Sequence, residues 1–338
     1  MTAQERFLVT GALGCIGAWT VRALVHEGTP VVALDMGRDH RRLAQIMSDD
    51  ELASVDFVVG DITDLAAVER TLDEKGITNV IHLAALQVPF CRADPALGAL
   101  VNVVGTVNLF EAVKRRGLTR VPLFYTSSIG AFSADDEDAT THRLEEDADG
   151  HPTTHYGVYK RANEGTARIY ALDDGIASVG LRPMTVYGVG RDQGMTSTPT
   201  AAIAAAVLGR PYRISFRGTT LFQYAEDVAA TLLAASRSDV TGAHVFNLDG
   251  SSVDIDAWIR TIEDLVPTAR GLITAADAQL PFPSEIAHDA LRAAVGPVPV
   301  TPYEEGIGAT VAILRDLAAA DRLVATQQGL PAAEATPA

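Results

Sequence analysis

The sequence has few cysteines, few aromatic residues and few positive charges. Only Cys15 and Cys91 occur among 338 residues. Two cysteines cannot build a disulfide framework, and they indicate a reducing, cytoplasmic compartment. Lysine and arginine total 27 against 43 acidic residues, and the net charge is −16 at pH 7. This excess of acid disfavours nucleic acid and anionic membranes as partners, because both bind clustered positive charge.

Long apolar runs and metal-ligand patterns are also missing. No run approaches the ~20 apolar residues that a membrane helix needs, and the six residues before the first predicted strand are too few for a signal peptide. The eight histidines show no spacing such as HxxxH, so a metal site is not expected. The segment 133–150 is strongly acidic and is interpreted as a solvated loop.

Short apolar runs alternate with amphipathic helical patterns through about the first 185 residues. The predicted strands are Phe7–Thr10, Pro30–Asp35, Phe57–Gly60, Asn79–Ala85, Val121–Ser128 and Ile176–Pro183. These runs are continuously apolar, which is typical of parallel strands covered on both faces by crossover helices. The sequence therefore predicts an α/β fold with a Rossmann-type, doubly wound parallel sheet.

The strand–helix rhythm changes after Pro183. Residues 1–185 are predicted to form a dinucleotide-binding domain that parts of 222–250 rejoin. Residues 186–320 are predicted to form a smaller C-terminal α/β lobe for the substrate, with a helix over 253–266. Residues 321–338 are rich in alanine, proline and glutamine and are expected to be a frayed tail.

Three glycines lie between the first strand and the first helix. Gly11 permits a tight turn, Gly14 lets the backbone approach a pyrophosphate, and Gly17 allows the helix to pack closely on the strand. The helix N-terminus then offers free amides to the phosphates. Asp35 ends the second strand, where a carboxylate accepts ribose hydroxyls and repels the 2′-phosphate of NADP. Arg38 could offset that repulsion, so the pattern favours NAD without excluding NADP.

The motifs along the chain occur in one order. They are TGALGCIG (10–17), VVALD (31–35), GDITD (60–64), HLAA (82–85), NVVGT (102–106), TSSIGAF (126–132), YGVYK (156–160), LRPMTVYG (181–188), FQYAEDVA (222–229) and TPYEEGI (301–307). With them the sequence resembles the extended short-chain dehydrogenase/reductase family, the NAD-dependent epimerases, dehydratases and sugar dehydrogenases. The resemblance runs from Phe7 to about Leu317.

The resemblance implies a catalytic group of Ser128, Tyr156 and Lys160. Tyr156 and Lys160 are four residues apart and share one face of a helix. A free tyrosine has a pKa near ~10, and a nearby ammonium favours the phenolate that a base requires. Ser128 would hold the substrate oxygen. Tyr159 is the rival tyrosine, but no lysine follows it four residues later.

The resemblance also implies the cofactor contacts, with Asp61 reading the adenine, Asn102 holding a helix or a water, and Pro183 and Met184 closing over the nicotinamide. His82 is interpreted as a packed, hydrogen-bonded residue. The full predicted set is Gly11, Gly14, Cys15, Ile16, Gly17, Asp35, Asp61, Ile62, Leu83, Ala84, Ala85, Asn102, Tyr156, Lys160, Pro183 and Met184.

The sequence departs from the nucleotide-sugar members of that family at two positions. Thr185 stands where they usually have an asparagine, and Thr220 stands where an arginine usually grips the diphosphate. A small sugar, polyol or sugar acid is therefore the expected substrate. The candidate substrate residues are Gln87, Phe90, Ser128, Thr185, Thr196, Arg217 and Gln223.

Two reactions remain open at this point. The first is NAD-dependent dehydrogenation of a small hydroxylated substrate, and the alternative is a sugar or nucleotide-sugar epimerase that retains its NAD. Dehydration is disfavoured because Ile129 and Gly130, and not acidic residues, follow Ser128. The helices 95–116 and 155–172 resemble those of the family's four-helix interface, so a homodimer is expected.

Overall fold

The computed structural model describes residues 5–119, 121–132, 145, 150–280, 282 and 285–332. The described strands are β1 Phe7–Thr10, β2 Val31–Asp35, β3 Asp56–Val59, β4 Asn79–His82, β5 Leu123–Thr126, β6 Ser178–Arg182, β7 Thr185–Tyr187, β8 Tyr212–Ile214, β9 Thr219–Tyr224, β10 Ala243–Asn247, β11 Ser251–Asp254 and β12 Ile273–Ala275. The described α-helices are α1 Cys15–His26, α2 Arg41–Ala44, α3 Asp49–Ala53, α4 Leu65–Lys75, α5 Val88–Ala93, α6 Pro95–Ala99, α7 Gly105–Arg116, α8 His155–Asp174, α9 Thr198–Val207, α10 Ala225–Ser236, α11 Ile255–Leu265, α12 Asp289–Val295 and α13 Tyr303–Ala319.

Among these strands, seven form one parallel sheet in the order β3-β2-β1-β4-β5-β6-β10. The winding reverses between β1 and β4, which confirms the predicted Rossmann-type fold. Ligands of such sheets bind outside the carboxyl ends of the strands at this switch point. The strand β10 returns from the C-terminal part of the chain to pair with β6.

The sheet is buried on both faces because successive strand residues point to opposite sides. Phe7 and Val9 of β1 belong to one core cluster, and Leu8 between them belongs to the other. The helices α1 and α10 pack together and cover the first face. The helices α4, α7 and α8 cover the second. Continuous apolar runs were the sequence signal for this arrangement.

Local chemistry sets the helix ends that the sequence predicts. Asp64 caps α4, because its carboxylate accepts a hydrogen bond from the Ala67 amide at 3.1 Å. Gly76 ends that helix in the left-handed region, with φ of +60°.

The C-terminal lobe contains two small sheets in the described part of the chain, β11-β9-β7 and β12-β8. The alanine-rich helix α9 is buried from Pro199 to Ala206 and lies against α13 and β8. Trp258 of α11 stacks on Phe222 of β9, with the ring centroids 3.9 Å apart. The predicted helix 253–266 is wrong at its start, because Val253 and Asp254 belong to β11.

The helix Pro95–Arg116 contains α6, a π-helical turn at Leu100–Val104, and α7. Among the described helices it is the one that is long and apolar enough to cross a membrane. By this test of length and mean hydropathy, the expectation that the chain has no such segment is wrong. Half of its apolar window is buried inside the structure, where it contacts α4 and α8. A core helix of a soluble protein has the same properties.

The expected fraying from residue 321 does not begin there. A 3₁₀ turn forms at Ala325–Gln328, and Leu330 is buried in the core of the lobe. Residues 333–338 of the predicted tail lie outside the described residues. The same is true of the acidic segment 133–150, apart from Glu145 and Gly150.

Candidate active site

A cavity of about 540 Å³ opens at the carboxyl ends of the central strands. Both halves of the predicted site border it, so the fold brings together residues that are up to 185 positions apart. The predicted residues that line it are Gly11, Gly14, Cys15, Ile16, Gly17, Asp35, Ile62, Leu83, Ala84, Ala85, Gln87, Ser128, Tyr156, Lys160, Pro183, Met184 and Thr196.

The glycine turn at the start of α1 has no room for larger residues. Gly11 has φ of +69°, and a Cβ there would lie 2.6 Å from the Ala84 amide nitrogen. A Cβ at Gly17 would lie 2.2 Å from the Gly11 carbonyl oxygen. Gly14 caps α1 without a side chain, so the first-turn amides of the helix face the cavity uncovered. This cradle fits the pyrophosphate of a dinucleotide.

Asp35 lies at the tip of β2 beside the glycine turn. Its Oδ2 accepts the Leu13 amide at 3.1 Å, and its Oδ1 accepts the Gly37 amide at 3.0 Å. Both contacts fix the carboxylate at the cavity edge, and each oxygen has a further lone pair for a ribose hydroxyl.

The three predicted catalytic residues meet at the opposite end of the cavity. Ser128 follows β5 and accepts the Gly130 amide at 3.0 Å, and its hydroxyl is hydrogen-bonded to Tyr156. Tyr156 and Lys160 lie one turn apart on α8, with the ammonium 5.5 Å from the centre of the phenol ring. Lys160 donates to the Thr126 carbonyl at 2.6 Å.

Burial sets the charges of this group. It leaves the pKa of Tyr156 above its ordinary value, because the hydrogen bond from Ser128 and the guanidinium of Arg191 offset only part of the rise. Burial also lowers the pKa of Lys160 to about 8. The ammonium of Lys160 lies beside the Tyr156 ring, where a positive charge would favour a phenolate.

His82 and Tyr159 take no part in this group. His82 is held between the hydroxyls of Thr10 and Thr106, at 2.7 and 3.0 Å. Burial lowers the pKa of His82 to about 3, so the imidazole is neutral, as the packing interpretation expects. Tyr159 donates to the Pro95 carbonyl and does not border the cavity.

Two predicted cofactor residues lie outside the cavity lining. Asp61 is exposed and accepts the Thr63 amide at 2.8 Å. Asn102 is buried, and its side-chain amide clamps the backbone of Leu86 through two hydrogen bonds, of 2.7 and 2.9 Å. Asn102 therefore supports the loop after β4 and does not face the cavity itself.

Four predicted substrate residues also lie away from the cavity. Phe90 is 50% exposed on α5. Arg217 pairs with Asp256 at 3.2 Å on the surface of the lobe. The expectation that these side chains line the pocket is wrong, because the chain directs them outward.

Thr185 and Gln223 are buried behind the cavity wall. The hydroxyl of Thr185 hydrogen-bonds to that of Thr220 at 3.0 Å. Gln223 accepts the Met184 amide at 2.8 Å and donates to the Leu248 carbonyl at 2.9 Å. These residues do not line the cavity, but Gln223 sets the position of Met184, which does.

Two residues near the site were not among the predicted site residues. Arg191, which the sequence offers only as a diphosphate contact of a nucleotide-sugar epimerase, lines the cavity in the loop after β7. Glu164 lies one turn after Lys160 on α8 and forms a buried pair with Arg182 at 2.7 Å. Glu164 could have been found from the sequence, because Tyr156, Lys160 and Glu164 are each four residues apart and so share one face of the helix.

Comparisons with known proteins agree with this geometry. The family model described as NAD dependent epimerase/dehydratase family matches residues 7–249. The chain belongs to this family. It is 30% identical over 321 residues to a UDP-glucose 4-epimerase of Mycolicibacterium smegmatis, covering 92% of this chain and 99% of that relative. A match to UDP-glucuronate 4-epimerase 3 of Arabidopsis thaliana, at 31% identity, covers 54% of this chain and 42% of the plant protein.

Solved structures of epimerase/dehydratase relatives superpose over most of the chain. The UDP-glucose 4-epimerase of Thermus thermophilus, in complex with NAD, has a TM-score of 0.76 and 26% identity over 92% of this chain and 99% of that one. An L-threonine dehydrogenase from Cupriavidus necator has a TM-score of 0.78 at 22% identity, over 92% and 100%, and shows the shared fold. The cofactor of the present family member is NAD.

The position of Asp35 makes the choice of cofactor testable. We expect Asp35→Asn to weaken NAD binding by about 10–100-fold, since a charged hydrogen bond to the ribose is lost. The ratio of NADP to NAD affinity should rise, because the repulsion of a 2′-phosphate is removed. Calorimetric titration of both dinucleotides measures this. Asp50→Asn on the exposed helix α3 is the control, and tighter binding of NADP than NAD by the wild-type protein would contradict the role of Asp35.

Proposed function

We propose that this protein transfers hydride between NAD and a hydroxyl or carbonyl carbon of a small sugar, polyol or sugar acid, with Tyr156 as acid and base. The main support is the convergence of Ser128, Tyr156 and Lys160 at one end of the NAD cavity. This grouping has the geometry that a proton transfer coupled to hydride transfer requires.

In the oxidation direction, each side chain has one task. Ser128 holds the substrate hydroxyl, and the Tyr156 phenolate removes its proton while a carbonyl forms. Lys160 stabilises the phenolate and is itself fixed by the Thr126 carbonyl. NAD held by the cradle at Gly11 and Gly14 and by Asp35 would supply the hydride acceptor for this oxidation.

The lining of the cavity supports a small substrate. The lobe borders it through Val186, the segment 190–196 and Phe282, and no other described residue of 186–320 lines it, so the strands β8–β12 add little length to the pocket. Thr185 and Thr220, at the two positions where nucleotide-sugar members would have polar contacts, are buried, hydrogen-bond to each other and do not line the cavity.

A panel of pentoses, hexoses, alditols and sugar acids tests this proposal. Incubation with NAD and measurement of NADH absorbance should identify at least one substrate with net turnover. If every member of the panel leaves NAD unreduced, the dehydrogenase proposal is wrong.

The second candidate is a UDP-sugar epimerase that retains its NAD. It is favoured by the 30% identity to the mycobacterial UDP-glucose 4-epimerase over nearly the whole of that relative. We expect UDP-glucose to bind with a dissociation constant on the order of millimolar, since no bidentate arginine contact to the diphosphate is available at Thr220. Micromolar binding, together with conversion to an epimer without net NADH, would favour the epimerase instead.

We also propose that the protein is a cytoplasmic homodimer. Both cysteines are free, in keeping with a reducing compartment. Large apolar side chains are exposed on one face of α6 with its π turn and on one face of α8. They are Leu97, Leu100, Val104, Val158, Ile169 and Leu172. A surface of this kind marks a contact with another protein.

Sedimentation measures the oligomeric state directly. We expect a mass of about twice the 35.7 kDa chain at micromolar concentration. Val104→Glu combined with Leu172→Glu should produce the single-chain mass. A wild-type mass of 35.7 kDa would remove the dimer proposal.

A further inference from the structure

Arg191 extends along the catalytic end of the cavity. Its Nη2 donates to the Thr196 hydroxyl at 3.2 Å. A Cβ at Gly194 would lie 3.1 Å from this Nη2 and 2.6 Å from Oε1 of Gln87. The tips of Arg191, Gln87 and Thr196 therefore surround Gly194, and all three residues line the cavity. They form a polar group that we call the Arg191 cluster.

No carboxylate in the described part of the chain pairs with this guanidinium. The neighbouring Asp192 is occupied by Arg42 at 2.7 Å and by Arg41 at 3.0 Å. The Nε of Arg191 is buried and has no hydrogen-bond partner. Arg191 thus carries a guanidinium without an ion-pair partner among the described side chains, and its buried Nε lacks a hydrogen-bond acceptor there.

The charges around the described cavity are separated along its length. Asp35 and Asp39 line its adenosine end, and Asp192 is held by its two arginines. The described lining contains four cations, Arg41, Arg42, Lys160 and Arg191, against the three carboxylates Asp35, Asp39 and Asp192. Arg191 is close enough to Tyr156 to act on it electrostatically, and Asp192 also acts on Arg191. In a chain with a net charge of −16, this local excess of positive charge selects for an anion next to the reacting carbon.

We infer that the substrate carries a carboxylate, which the Arg191 cluster binds while Ser128 and Tyr156 hold the reacting hydroxyl. The substrate class is then a hydroxy acid such as a sugar acid, and neutral sugars and polyols are poor substrates. A guanidinium fork binds a carboxylate through two parallel hydrogen bonds, and Gln87 and Thr196 supply further polar contacts at the same place. This inference rests on the proposed function, because it narrows the substrate of the same site.

The cofactor pyrophosphate is a second anion that could reach Arg191. The terminal nitrogen of Arg191 lies at Thr196 and Gln87, and its charge acts both on Tyr156 and on Cys15 in the first turn of α1. The contacts with Gln87 and Thr196 favour the substrate, and the two anions predict different results with the arginine variants.

The experiment compares matched substrates and matched arginine variants. Aldonates and the alditols of the same carbon number are assayed by NADH formation with wild type, Arg191→Met and Arg191→Lys. Arg213→Met is the control, because Arg213 is the exposed residue of β8. We expect the wild-type kcat/KM to be at least about 100-fold higher for the acid than for the alditol. The alditol has no carboxylate for Arg191 to bind, and the loss of such a charged contact has an effect of this size.

Arg191→Met should lower kcat/KM for the acid by about 100-fold and for the alditol by less than about 3-fold. Arg191→Lys should restore part of the loss, and Arg213→Met should change neither value. The dissociation constant of NAD, measured by titration, should stay within about 3-fold of wild type in every variant. A melting curve for each variant shows that it is folded.

Three results would overturn the inference. One is a wild-type enzyme that uses alditols as well as aldonates. Another is an Arg191→Met variant that loses activity equally with both. The third is an NAD affinity that falls about 10-fold or more while the acid preference is retained, which would assign Arg191 to the pyrophosphate. If no substrate of either kind reduces NAD, the proposed function itself fails, and that outcome differs from these three.

Discussion

Replacing Tyr156 by phenylalanine is expected to lower kcat by about 10²–10⁴-fold, the usual contribution of a general acid or base. The change removes one oxygen from a buried ring, so Ser128 keeps its hydrogen bond from the Gly130 amide and Lys160 keeps the Thr126 carbonyl. The NAD cradle at Gly11–Gly17 is untouched. Turnover should therefore fall while NAD binding and the melting temperature stay close to wild type.

Steady-state kinetics with a turned-over substrate, together with an NAD titration, measure the effect. Tyr159→Phe is the matched control, because its hydroxyl contacts only the Pro95 carbonyl at the surface of α8. If Tyr156→Phe retained more than about a tenth of the wild-type kcat, the proton would be transferred by another group. Equal losses in both variants would point to damage of α8 and not to chemistry.

Replacing Glu164 by glutamine is expected to cost about 3–5 kcal/mol of unfolding free energy, the usual effect of breaking a buried ion pair. The Glu164 carboxylate accepts bonds from Arg182 at 2.7 and 2.9 Å and from the Ser127 hydroxyl at 2.5 Å. Arg161 adds a third pairing group at 3.0 Å. A neutral amide removes the Glu164 charge that faces the buried guanidinium of Arg182 at 2.7 Å.

Urea unfolding measures this cost, and Glu226→Gln is the control. Glu226 also pairs with an arginine, Arg22, but is 49% exposed, so its loss should cost about 1 kcal/mol or less. A Glu164→Gln variant as stable as Glu226→Gln would mean that the buried pair contributes little.

The same residue gives the stability a dependence on pH. Burial acts to raise the pKa of the Glu164 carboxyl, but hydrogen bonds and charge from Arg182 outweigh it and leave the pKa below its ordinary value. The folded protein therefore releases this proton more readily than the unfolded chain. The stabilisation is present above the unfolded pKa and is lost as the pH falls through the folded one. The stability gap between wild type and Glu164→Gln should narrow at acidic pH.

The inner strands of the central sheet could be predicted from the sequence because they are buried on both faces. The strands β1 and β2 therefore appear as apolar runs, whereas the edge strands β3 and β10 are only partly buried. The three-residue strand β7 and the strand β11 have no such signature. Val253 and Asp254 continue a helical pattern, but they pair with Thr220 and Thr219 of β9, so tertiary pairing overrides the local preference.

The site divides in the same way. The glycine turn, Asp35 and the Tyr156–Lys160 pair are local patterns, and their positions follow from the strand or helix that carries them. The positions of the substrate residues that were predicted wrongly depend on the paths of the loops, which the sequence does not show. Arg217 lies between β8 and β9, and whether it faced the cavity or Asp256 depended on the packing of the lobe. Arg191 could not be assigned to the site from the sequence, because its neighbour Asp192 looks like its ion-pair partner. The structure shows that Asp192 pairs with Arg41 and Arg42 instead.

The two tryptophans of the chain lie in different parts of the fold, so intrinsic tryptophan fluorescence can report on each part separately. Trp19 lies on α1 just after the glycine turn, and its indole donates to the Val189 carbonyl at 3.0 Å, in the loop that leads to Arg191. Trp258 lies in the C-terminal lobe, stacked on Phe222. Emission from Trp19 should be quenched by energy transfer to reduced nicotinamide, so NADH can be titrated without a label. A single Trp258→Phe variant would isolate that signal, and a Trp19→Phe variant would leave Trp258 as the reporter of its own surroundings.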